Sequence, residues 1–97
     1  MLVTLTIRDV QVATPRARIV RLDLDGQEFP YAAGQAVAVG VPGAERRRPY
    51  SIASAPEDAR RDGCLELLVG VDAEGRAGLQ RKMRPGAAFG VNSDEKL

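Results

Sequence analysis

Val3, Leu5 and Ile7 alternate with Thr4, Thr6 and Arg8, and after Asp9 the alternation changes phase to Val10 and Val12. An apolar/polar period of two is the mark of a half-buried strand, and a change of phase inside one strand requires a bulge or a sharp bend. Thr14-Pro15 makes a turn, and the next run repeats the behaviour: Ala17 and Ile19 share one parity, then Val20, Leu22 and Leu24 take the other. Two consecutive strands that both bend fit a closed or strongly coiled sheet, not a flat one.

The rest of the chain supplies further short strands. Asp25-Gly26 is a turn signal and is followed by a loop holding Phe29, Pro30, Tyr31 and Gly34. Val37, Val39 and Val41 predict a third strand, stopped by Pro42-Gly43; residues 50 to 54 predict a fourth, stopped at Pro56; Leu65, Leu67, Val69 and Val71 predict a fifth; Phe89 and Val91 predict a sixth. One helical signal stands out, Leu79 and Met83 four apart, ended by Arg84-Pro85-Gly86. Six strands and one brief helix mean an antiparallel barrel or sandwich, a single domain over residues 1–91 with an irregular polar tail at 92–97.

Composition narrows the chemistry. The 97 residues include four aromatics, so the core is filled mostly by Val, Leu, Ile and Ala. The net charge is +1, which gives no global field for nucleic acid or anionic membrane. There is no histidine, so histidine bases, Ser-His-Asp triads and histidine-ligated zinc are excluded within these residues. Asp72 and Glu74 are too few for a metal cage, and no metal is expected. Cys64 is alone and reads as a small residue at a strand start. No apolar run approaches the ~20 residues of a membrane span, and the first residues lack a signal-peptide pattern, so the expectation is a cytoplasmic protein.

Arg48-Pro49-Tyr50-Ser51 is the candidate site. On an extended strand Arg48 and Tyr50 point to one face. A guanidinium offers paired donors suited to phosphate, and a tyrosine ring stacks on a flat heterocycle. The Ser51 hydroxyl can donate to or accept from a ring nitrogen, although strict alternation puts it on the opposite face. A plainer reading is a basic loop entering a strand whose tyrosine is half-buried. The glycines of Gly75-Arg76-Ala77-Gly78 can turn backbone N–H groups toward an anion, or form an ordinary flexible connection. Arg46, Arg47 and Arg48 also allow a single-strand nucleic-acid surface, which the scarcity of aromatics disfavours.

The stretch Arg48-Pro49-Tyr50-Ser51-Ile52-Ala53-Ser54-Ala55-Pro56 resembles the flavin-binding motif of the ferredoxin–NADP+ reductase superfamily, Arg-x-Tyr-Ser. Phe29-Pro30-Tyr31-Ala32-Ala33-Gly34-Gln35 is similar to that family's F-x-[YF]-x-P-G-Q stretch, with Ala33 where proline is common. The run holding Val69 is similar to its fifth strand, and Gly75-Arg76-Ala77-Gly78 to its second phosphate loop, with Gly78 where a hydroxyl residue is usual. The resemblance implies an all-β fold, a six-stranded antiparallel Greek-key β-barrel with one short capping helix. It implies an electron-transfer flavoprotein with FAD, or alternatively FMN. Arg48 would meet the phosphate, Tyr50 would stack on the isoalloxazine, and Ser51 would approach N5. Pro49, Val69, Gly75, Arg76, Ala77 and Gly78 would complete the cofactor contacts. The implied partners are an NAD(P)-binding domain, normally attached, and ferredoxin or another iron–sulfur protein. No dinucleotide fingerprint occurs in these residues, so the expectation is a flavin half without its NAD(P)H half. The alternative is a barrel of the same fold that binds no flavin and serves as a scaffold.

Overall fold

The computed structural model describes residues 2–43, 45, 47–71 and 82–93. Its elements are β1 (Leu2–Thr14), β2 (Ala17–Asp23), β3 (Ala36–Gly40), β4 (Arg48–Ile52), α1 (Pro56–Asp62), β5 (Cys64–Gly70) and β6 (Ala88–Asn92). The six strands close into a barrel in the order β1-β2-β5-β4-β3-β6, all neighbours antiparallel. Sequential β2 and β3 are not neighbours, and neither are β5 and β6; these two crossings make the topology a Greek key.

The phase change in β1 is a register shift between Ile7 and Asp9 against β2, which leaves Arg8 as the extra residue. A second shift between Val12 and Thr14 leaves Ala13 extra. These bends let one 13-residue strand serve two neighbours. Its first half pairs with β6, from Leu2 opposite Asn92 to Thr6 opposite Ala88. From Thr6 onward it pairs with β2. Asp25 and Gly26 both have positive φ, 52° and 77°, and Gln27 N–H donates to the Leu24 carbonyl at 2.9 Å, so the predicted turn is present.

Leu5, Ile7, Val20, Leu22, Val37, Val39, Leu65, Leu67, Val69, Phe89 and Val91 fill the barrel, each essentially removed from water. Alternation puts Arg21 and Glu66 on the outer wall, where their side chains pair at 3.1 Å. Among the described residues, no helix is long and apolar enough to cross a membrane.

The helix among the described residues is not the one the sequence predicts. The sequence stops the fourth strand at Pro56 and predicts a helix near Leu79 and Met83. Most of that segment lies outside the described residues, although Met83 itself is buried in the core. The helix of the described residues is α1, which follows β4 directly. Pro56 is preorganised for a first turn, Glu57 and Asp58 sit at the positive end, and Arg60 and Arg61 at the negative end. Gly63 ends it at φ 71°, its N–H bonded to the Ala59 carbonyl at 2.8 Å. Arg8, the bulged residue of β1, completes the cap: its guanidinium donates to the carbonyls of Asp62 (3.2 Å) and Gly63 (3.3 Å) and to the Asp23 carboxylate (2.9 Å).

Candidate functional site

β4 is placed by its register with β3: Ser51 lies opposite Ala36, Tyr50 opposite Val37, Pro49 opposite Ala38 and Arg48 opposite Val39. Ile52 points into the core and fixes the parity of the strand. Tyr50 shares that parity. It is half-buried and packs against the edge of the core. Arg48 shares it as well, at the exposed start of the strand. Burial pushes the Tyr50 phenol up, with the Arg48 charge opposing, so the ring is neutral near pH 7 beside a permanent cation. The same-face pairing of Arg48 and Tyr50 expected from the sequence is therefore present. Ser51 takes the other parity. Its side chain is exposed on the outer wall, between Ala36 of β3 and Leu68 of β5.

Ser51 also marks where two strands part. β4 meets β5 at Ile52 opposite Leu67 and Ser51 opposite Leu68, and the register goes no further toward Arg48. Pro49 lacks an N–H and cannot donate to a ladder. β5 continues through Val69 and Gly70 in register with β2 alone. The Val69 side chain is wholly inside the barrel, so only its main chain can face a ligand. Leu68, 46% exposed, and Ile19 opposite it on β2 form an apolar strip beside the Ser51 hydroxyl. A charge for an anion, a neutral ring face and a hydroxyl beside an apolar strip thus lie within four consecutive residues at a gap in the barrel wall.

The stretch from Phe29 to Gln35 braces this strand. Phe29 is buried in the core, with its ring centroid 6.4 Å from that of Tyr31. Gly34 turns the chain at φ 79°. The Gln35 side chain accepts from the Ala32 N–H (3.0 Å) and donates to the Ser93 carbonyl (3.3 Å), while its own carbonyl accepts the Ile52 N–H at 2.8 Å. The Tyr31 hydroxyl reaches the Ser54 carbonyl at 2.8 Å. In the sequence these residues carry only the likeness to F-x-[YF]-x-P-G-Q; the Tyr31–Ser54 and Gln35–Ser93 bonds span 23 and 58 residues and leave no local period.

Gly75, Arg76, Ala77 and Gly78 lie outside the described residues. Cys64 is buried at the start of β5, and burial pushes its thiol up, the opposite of what a reactive thiolate needs. A cavity of about 300 Å³ lies between residues 24–31 and α1, lined by Leu24, Phe29, Tyr31, Pro56, Ala59 and Arg60. It contains none of the β4 site residues.

No family model matches the chain, and neither does any curated protein. Solved structures do. A ferredoxin NADP+ reductase from Neisseria gonorrhoeae with bound FAD and NADP superposes with a TM-score of 0.73 at 19% identity, covering 99% of this chain and 38% of that one. The siderophore-interacting protein SipS from Aeromonas hydrophila gives a TM-score of 0.71 at 15% identity, covering 95% of this chain and 42% of that one. The chain spans about two-fifths of the length of these proteins, and over that part it has the barrel fold of a ferredoxin NADP+ reductase.

Proposed function

We propose that this barrel is the flavin-binding part of an electron-transfer oxidoreductase, holding FAD, or alternatively FMN, against β4. The observation that carries the reading is the placement of exposed Arg48 and half-buried Tyr50 on one face of β4, with the Ser51 hydroxyl exposed where β4 and β5 part. Support also comes from the Neisseria gonorrhoeae reductase of the same fold, which carries FAD.

The donor set fits the cofactor. Arg48 supplies a charged fork for a phosphate oxygen pair. Tyr50 offers a neutral ring face, already packed on the core, so little rotamer freedom is lost on stacking. Ser51 can donate or accept at the polar edge of the ring, including N5, and the strip of Leu68 and Ile19 suits its apolar portion. Pro49 keeps β4 clear of β5, and the Val69 main chain borders the gap. Gly75, Arg76, Ala77 and Gly78 are proposed as a second phosphate contact through their backbone N–H groups. The flavin, when bound, supplies the hydride and one-electron chemistry; the protein binds, orients and tunes it.

The remaining length of the two similar proteins leaves room for the partner this reading requires, an NAD(P)-binding domain, with ferredoxin or another iron–sulfur protein exchanging electrons. We also propose a cytoplasmic setting, where a lone buried thiol stays reduced. The test is a visible absorption spectrum of the purified protein, repeated after adding FAD or FMN and removing excess. Retained flavin bands support the reading. No retention of either cofactor at micromolar protein overturns it.

A further inference from the structure

Ser54 is the one buried polar residue among the described residues, and buried polar groups call for an account of their partners. Its hydroxyl accepts the Glu66 N–H at 3.2 Å and lies 3.3 Å from the Tyr31 hydroxyl. Tyr31 has a single proton, and that proton is committed to the Ser54 carbonyl at 2.8 Å. The 3.3 Å contact must then run from the Ser54 hydroxyl to the Tyr31 oxygen. The result is a directed chain: Glu66 N–H to Ser54 Oγ, Ser54 O–H to Tyr31 Oη, Tyr31 O–H to the Ser54 carbonyl. Each hydroxyl both gives and receives, so the bonds polarise one another.

This chain sits where the barrel is least secured by backbone. β4 and β5 share the Ser51–Leu68 and Ile52–Leu67 positions, whereas β2 and β5 stay in register from Ala17–Gly70 to Asp23–Cys64. Just past Ile52, the Ala53 N–H donates to the Glu66 carbonyl at 2.6 Å. The neighbouring Glu66 N–H is taken by the Ser54 hydroxyl. Side chains thus extend a seam that the strands leave short. Ser51 is the last residue of that seam on the open side.

We propose that Tyr31 and Ser54 are positioning residues for the flavin site: their hydrogen-bond chain sets where β4 closes on β5, and so holds Ser51 and Tyr50 in place. This rests on the flavin reading above. Neither residue touches the site, and both act through β4.

The experiment uses Tyr31→Phe, which removes one oxygen and keeps the ring, with Ser54→Ala as a second route to the same break. Amide hydrogen exchange by NMR on the cofactor-free chain should show protection at Ala53 and Glu66 falling by roughly tenfold, with smaller losses at Ser51 and Ile52 and none in β1 and β2. FMN added to the same variants should bind more weakly and show a changed visible circular dichroism band, since the ring would meet a displaced Ser51 and Tyr50. Protection lost evenly over the whole barrel, or not at all, overturns the proposal. If wild type and variants bind FMN with the same affinity and the same band, the positioning role fails while the flavin reading stands. If wild type itself binds no flavin, the flavin reading fails and takes the positioning role with it, whatever the exchange pattern shows.

Discussion

Replacing Arg48 by alanine separates a phosphate contact from a structural one. Arg48 is exposed at the start of β4, and no carboxylate among the described residues forms an ion pair with it. Its removal therefore breaks no described salt bridge and opens no cavity, and the fold should tolerate it. A charge-assisted hydrogen bond is worth about 1.5–3 kcal/mol, and exposure to water and salt moves this one toward the lower end. The expected loss for FMN or FAD is roughly tenfold in Kd. Riboflavin has the same ring and no phosphate, so its affinity should be unchanged. Arg48→Lys keeps the charge without the planar fork and should fall between. The assay is quenching of flavin fluorescence on titration, run at low and at high salt. The gap between wild type and variant should narrow as salt rises. Equal losses for FMN and riboflavin would show that Arg48 acts through the fold. No loss for FMN would show that its phosphate is held elsewhere.

Ser51→Ala should leave thermal stability unchanged, since the side chain is exposed, and should weaken flavin binding by less than about tenfold while shifting the visible spectrum; an identical spectrum removes the N5 contact. Gly63→Ala should cost about 1–2 kcal/mol through strain at φ 71° and not through a clash, the nearest atom to the new carbon being Arg8 Nη2 at 3.8 Å; thermal melts should fall by roughly 4–8 °C per kcal/mol, and an unchanged Tm would refute the left-handed cap. Leu67→Ala, at a fully buried position beside Ile52 on the seam, should cost about 2–5 kcal/mol by denaturant titration and take flavin binding with it. The Arg8 hydrogen bond holds the Asp23 carboxyl below the ordinary aspartate range. Its folded pKa is thus depressed, so its contribution is present near neutrality and is lost as pH falls below about 4. Asp23→Asn should remove that part of the acid limb, and a superimposable stability–pH curve would show that the pair contributes nothing.

The sheet was legible because each strand carries its own period of two, and the bulge in β1 because Ile7 and Val10 cannot share a parity without one. Boundaries drifted by a residue or two: the third strand is Ala36–Gly40 and the fourth begins at Arg48. α1 was missed for a physical reason. Ala59 is its one buried residue, so it has no apolar stripe to read. Its ends carried the signal instead, with proline first, acids before bases and glycine last. In the site, the common face of Arg48 and Tyr50 follows from alternation alone. The parting of β4 from β5 at Ser51 does not, because ladder length depends on a partner far along the chain. The Tyr31–Ser54 bond joins residues 23 apart and has no local signature either.

The position of the site follows from how unevenly the barrel is held. β1 is paired along both halves, and β2 and β5 along their whole lengths, so three strands form a stiff frame. β4 is tied to β3 throughout but to β5 only at its inner end. Beyond Ser51 the two strands share no further register, a feature that elsewhere invites pairing with another chain. Beside it lie a cation, a ring and a hydroxyl, on a strand whose inner end is anchored in the core by Ile52 opposite Leu67. Under the flavin reading, a flat, anionic ligand entering there meets a ring already packed on the core and pays little to order it.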